Sequence, residues 1–119
     1  MKISVRVRDI EWTPELRKNV ERSIEFAIDR YRLQVNEVSV YLADLNGRKG
    51  GVDKLCQITA NLRGRSNPVL ILERGPEILP AVTRAAHRLA NRIGERIRRR
   101  NEADLLSRGR SRKRAAQAR

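Results

Sequence analysis

Arg84, Arg88, Arg92 and Arg96 recur every four residues in "TRAAHRLANRIGERIRRR" (Thr83–Arg100), a stretch that holds seven arginines. A guanidinium is a planar fork of donors that fits phosphate oxygens two at a time. Four of them one helical turn apart climb the same side of a helix. Like charges at that spacing disfavour the helix by about a few tenths of a kcal/mol per pair. A helix that only needs solubility interleaves its signs, as Arg17, Lys18, Glu21, Arg22, Glu25 and Asp29 do earlier in the chain. In the later segment only Glu95 interrupts the arginines. The chemistry to expect is contact with a polyanion's phosphates.

The elements that must carry these arginines can be read from periodicity. "KISVRVR" (Lys2–Arg8) alternates with period two, with Ile3, Val5 and Val7 on one side. Thr13 is a good N-cap and Pro14 a good first helical residue. Leu16, Val20, Ile24, Ala27 and Tyr31 then form one stripe, giving an amphipathic helix over about 14–31. Phe26 falls off that stripe, with no facing assigned. Val38, Val40 and Leu42 mark a second strand within 36–44, and Cys56, Ile58, Ala60 and Leu62 a third within 54–63. "PVLILE" (Pro68–Glu73) is a short apolar run that suits a fourth strand of undetermined facing. "LNGRKGGVD" and "GRSN" are the connections.

A second helix follows. With Val82 at zero, Ile78, Ala86, Leu89, Ile93 and Ile97 fall within about 60° of it. Arg84, Arg88, Arg92 and Arg99 fall at about 200–280°, on the side away from the stripe. The order is β-α-β-β-β-α. A strand–helix–strand crossover makes the first two strands parallel, and the last three can form an antiparallel meander. Both helices bury their stripes if they share one face of the sheet. The expected fold is therefore α+β: a two-layer sandwich of a four-stranded sheet with two helices on one face, in the manner of a double-stranded-RNA-binding domain. One domain is expected over 1–101. Residues 102–119, rich in Arg, Ser and Ala and without a core stripe, read as a disordered basic tail.

The formal net charge is +13 over 119 residues. Residues 1–75 hold 14 basic and 10 acidic side chains, whereas 76–119 hold 13 and 4. The charge belongs to the C-terminal third. It favours nucleic acid or another anionic surface through counterion release, without implying sequence specificity. Other functions lack their residues. Cys56 is alone, so neither an internal disulfide nor a zinc cluster is available. His87 is the single histidine and has no acid or nucleophile at a readable spacing. No dinucleotide fingerprint, P-loop, metalloprotease or serine-elbow motif occurs. Neither an enzyme nor a resident cofactor or metal is expected. No apolar run approaches the roughly 18–20 residues of a membrane span, and no secretory leader is evident, so a cytoplasmic protein is expected.

Aromatic residues are few, and no strand carries the pair that stacks unpaired bases in an RNA-recognition motif. Helix-turn-helix and zinc-finger patterns are absent. Recognition should rest on phosphate and shape, which favours folded RNA.

The element order, the start "DIEWTPELRKNVERSI" and the helix "ILPAVTRAAHRLANRIGERI" together resemble the ribosome hibernation-promoting factor family, also called ribosome-associated inhibitor A or sigma-54 modulation protein. The resemblance spans about residues 1–100. "EWTPELRKNV" is similar to the family's E-I-T-x-x-(L/I)-R-x-x-V, with Trp12 in place of Ile. "EILPAV" departs from the family's D-M-Y-x-A-I, with Leu79 in place of Tyr. The resemblance implies binding to the small ribosomal subunit between head and body. There a member occupies the places of mRNA and of the tRNA anticodon ends, and so blocks translation on idle ribosomes. It further implies that basic residues of both helices contact ribosomal RNA. Arg17 and Arg88 match the family's basic positions. Arg22, Arg84, Arg92, Arg96, Arg99 and Arg100 join them by helix geometry. The resemblance is to short members, without the dimerisation domain of long ones, so a monomer off the ribosome is expected. No membrane or small-molecule partner is expected. Two other readings stay open: a general binder of structured RNA, and a sigma-factor-type regulator acting through a protein partner.

Overall fold

The computed structural model describes residues 1–46, 53–64 and 67–117. The Gly-rich stretch 47–52, the turn residues 65 and 66, and residues 118 and 119 lie outside it. The elements are β1 (Lys2–Arg8), α1 (Pro14–Ile28), β2 (Val35–Asp44), β3 (Lys54–Leu62), β4 (Val69–Gly75) and α2 (Ile78–Gln117), with a 3-10 turn over Asp29–Tyr31 after α1. They build one sheet in the order β1-β2-β3-β4. β1 pairs parallel with β2, and β2–β3 and β3–β4 pair antiparallel, as the crossover and meander require.

The register carries one apolar row straight across the sheet: Val5, Val40, Ile58 and Ile71 are successive partners. Residues two places along each strand repeat the row, because strand side chains alternate faces. Val38, Leu42, Cys56, Ala60 and Val69 are buried with it. The facing of β4 is thereby fixed. Val69 and Ile71 point into the core, and Leu70 and Leu72 lie exposed on the open face. That open face also carries Ser4, Arg6, Ser39, Tyr41, Gln57 and Thr59, with the Arg6 guanidinium 5.7 Å from the centre of the Tyr41 ring.

Both helices cover the opposite face. α1 starts where Thr13 accepts a hydrogen bond from the Leu16 N–H (3.1 Å) and Pro14 supplies a preset φ. Val20, Ile24 and Ile28 are its fully buried residues, and Leu16, Ala27 and Tyr31 are half-buried. Ile28, outside the expected stripe, is buried where the last turn tightens toward 3-10. α2 packs over β3 and β4 and beside α1. Ala81, Val82, Ala85, Ala86, Leu89 and Ile93 are buried along it. Each helix follows a strand of the same direction, so the two helices run parallel.

The expected disordered tail is corrected in one respect. α2 does not end near Asn101 but continues to Gln117. Ile97 is its last residue against the core, and beyond it Leu105 and Leu106 are exposed. Extending an existing helix needs no new nucleus. Ala103, Leu105, Leu106, Ala115, Ala116 and Gln117 are good helix formers, and Gly109 alone costs about 1 kcal/mol. Residues 101–107 are exposed, so there the helix continues on local propensity, and the absence of a core stripe did not predict coil.

Cys56 is buried beside the β4 residue Glu73. Burial first, and the Glu73 carboxylate second, push its thiol up to about 12. The neutral thiol therefore contributes stability that is lost as pH rises from the ordinary thiol range toward that value. We expect the native protein to resist a thiol reagent at pH 8 and to react fully in denaturant; rapid native labelling would contradict the packing. Truncating Leu89→Ala should lower unfolding free energy by about 2–5 kcal/mol in urea titration.

Candidate nucleic-acid interface

A step of four residues advances about 40° around an α-helix beyond a full turn. The arginine ladder therefore does not stay on the outward side of α2, as expected, but winds toward the free edge of β4. Its rungs make contacts there. Arg84 donates to the Arg74 carbonyl (3.0 Å), and Arg88 to the Leu72 carbonyl (2.8 Å). Arg96 donates to the Asn67 carbonyl (2.6 Å), and Arg100 to the Arg63 carbonyl (2.9 Å). β4 is an edge strand, and an edge strand presents unpaired backbone groups that can recruit another chain. The ladder meets that edge at Leu72 and Arg74, and the segment leading into it at Asn67 and Arg63.

Two glycines make room for it. A Cβ on Gly75 would lie 2.6 Å from the Arg84 guanidinium, and one on Gly64 would lie 2.5 Å from that of Arg100. Gly64 also has φ of +91°, a conformation that favours glycine in its own right. Glu73 completes the clamp. It sits on the helix side of the sheet at the β4 edge, with its side chain only 18% exposed, 2.8 Å from Arg88 and 3.5 Å from Arg84. One carboxylate thus offsets the repulsion between two like-charged rungs.

The candidate residues separate into three groups. Arg96 and Arg100 are engaged with backbone carbonyls. Arg84 and Arg88 share Glu73 yet remain about half exposed, at 48% and 47%, with donors left over. Arg92 and Arg99, with the neighbouring Arg98, are exposed and make no hydrogen bond or ion pair among the described residues. Arg92 and Arg99 lie beside the clamped rungs, whereas Arg98, about 100–120° around the helix from them, faces the α1 side with Tyr31 and Gly94.

The two candidate arginines of α1 stand apart. Arg17 pairs with Glu21 at 3.1 Å and stays 64% exposed. It also lies about 140° around the helix from Arg22, so the two cannot serve one surface. Arg22 is exposed and unpaired among the described residues, on an outward face shared with Lys18, Glu25 and Asp29. The fold therefore brings Arg84, Arg88, Arg92 and Arg99 together along the β4 flank, puts Arg22 on the roof, and leaves Arg17 on the far side. Arg98 is a further exposed arginine of α2, beside Tyr31, Asn91 and Gly94. Its angle of about 160° from Val82 already marked it as outward.

The site is thus an open basic flank on a two-layer α+β scaffold. Solved structures share that scaffold. A ribosomal subunit interface protein from Coxiella burnetii superposes with a TM-score of 0.68 at 15% identity, covering 80% of this chain and 96% of that one. The N-terminal domain of Thermus thermophilus Protein Y gives 0.58 at 22% identity, covering 77% and 91%. These likenesses show a shared fold. The family follows from the sequence itself: residues 3–101 match the pattern of the Sigma 54 modulation protein / S30EA ribosomal protein family, and the chain belongs to it. The membership expected from "EWTPELRKNV" and the second helix holds. No curated protein sequence matches the chain. Among the described residues, no helix is long and apolar enough to cross a membrane.

The division of labour along α2 is measurable. Arg96→Ala should destabilise the fold by about 1 kcal/mol while changing RNA affinity little. Arg92→Ala should leave the melting temperature unchanged and lower the salt slope of RNA binding by about one. If the two variants exchanged these phenotypes, the assignment of rungs would be reversed.

Proposed function

We propose that this protein is a translation inhibitor of the hibernation type, acting in the cytoplasm on the small ribosomal subunit. The α2 flank contacts ribosomal RNA phosphates, and the body of the domain fills the space that mRNA and the tRNA anticodon ends need. Inhibition is steric and involves no bond making or breaking. The observation that carries this reading is the pair Arg92 and Arg99, without partners among the described residues, beside half-free Arg84 and Arg88, on the scaffold of a ribosome-associated family. A cluster of that density draws phosphate by charge and by bidentate fit together. The protein is a monomer off the ribosome in this reading.

Charge reversal at Arg84 or Arg88 would set new carboxylates against Glu73 and disturb the fold, so the variant of choice spares them. The wild-type protein should co-sediment with small subunits at low salt, compete with tRNA, and stop translation in an extract. The triple variant Arg22→Glu, Arg92→Glu, Arg99→Glu should keep its fold by circular dichroism and remain at the top of the gradient. Equal affinity for unrelated duplex RNA would instead support a general RNA-binding role. Retention by a single protein partner after nuclease treatment would support a protein-directed regulator.

A further inference from the structure

Phe26 is 85% exposed, on a helix whose other large apolar residues are buried or half-buried. It stands at the mouth of a groove of about 740 Å³ between α1 and α2. The floor is made of methyl groups from Ala27, Ala86 and Ala90, so the groove is shallow and flat. His87 and Asn91 line the α2 wall with polar atoms and are exposed. Arg22 and Arg30 lie one turn before and one turn after Phe26 on the same helix. Arg30 is steadied 5.9 Å over the Tyr31 ring. Asp29 also lines the groove, with its carboxylate 3.8 Å from the Arg32 guanidinium, and Glu25 lies about 100° around the helix from Phe26 in the adjoining hollow with Arg22.

We infer that this groove takes one unpaired nucleobase of the bound RNA, stacked on the Phe26 ring. The inference rests on the RNA-binding reading above and deepens it. A flat slot with an aromatic face, polar atoms along one wall and a cation on each side matches a planar ring with hydrogen-bonding edges and phosphates fore and aft. An aliphatic peptide segment fits poorly, because it would set apolar surface against His87, Asn91 and Arg30. Stacking on an aromatic side chain is sequence-tolerant and adds to phosphate contact without adding charge. The groove thus gives the protein a means to prefer RNA with a splayed-out base over plain duplex.

The test uses the full chain and purified ribosomes. Phe26→Ala and Phe26→Leu should each weaken binding about tenfold, and Phe26→Trp should retain it, all with an unchanged salt slope. A photo-reactive Phe26→p-benzoylphenylalanine variant, irradiated on ribosomes, should give an adduct destroyed by nuclease. Wild-type affinity in both Phe26→Ala and Phe26→Leu overturns the proposal, as does an adduct to a ribosomal protein. Failure of the wild-type protein to bind ribosomes removes the parent reading and this one with it. Failure confined to the Phe26 variants removes only the groove.

Discussion

The burial of the α2 stripe on β3 and β4 fixes the direction of every arginine on that helix. Val82, Ala86, Leu89 and Ile93 can meet the sheet in one rotational setting. Once they do, the four-residue ladder must wind from the outer surface down onto the β4 edge. A rotation of α2 by one residue, about 100°, would take Leu89 off the sheet and pull Arg96 and Arg100 from their carbonyls. Apolar packing and basic chemistry are therefore set by the same helical phase. The small floor of Ala81, Ala85 and Ala86 lets α2 lie close to its neighbours, which brings its arginines within reach of β4.

The clamp and the free cluster depend on each other. A chain of charge +13 repels itself when compact, most of all where arginines follow at single-turn spacing. Carbonyl dipoles along β4 and the Glu73 carboxylate absorb part of that repulsion. They also hold the helix so that Arg92 and Arg99 are presented without partners among the described residues. A partner's phosphates then meet groups whose backbone is already ordered, which lowers the entropic cost of binding. The same ladder meets the unpaired edge of β4 at Leu72 and Arg74, and such an edge is a hazard in any open sheet.

The fold was largely legible in the sequence. Strong alternation in β1, β2 and β3, and the Thr13–Pro14 start of α1, placed those elements within a residue or two. β4 could not be oriented, because Leu70 and Leu72 are as apolar as Val69 and Ile71, and only the pairing with β3 tells them apart. The helical run beyond Asn101 was missed because it carries no core stripe. The candidate site was legible in composition and less so in direction. Spacing alone gave a ladder on one side, whereas the drift of about 40° per rung turns it toward the strand. That Glu73 serves Arg84 and Arg88 was hidden, since the contact crosses eleven or more residues and depends on β4's facing. Phe26 showed as a misfit of the stripe, and its groove needed both helices to be seen.

The central claim is that α2 divides its arginines between holding the fold and meeting RNA. Modification by phenylglyoxal, read residue by residue by mass spectrometry with and without ribosomes, tests it most directly. The account predicts that Arg22 and Arg92 react quickly in the free protein and are protected on ribosomes, while Arg96 and Arg100 react slowly in both states. Fast reaction of Arg96 and Arg100 in the free protein, with Arg22 and Arg92 left reactive on the ribosome, would contradict it.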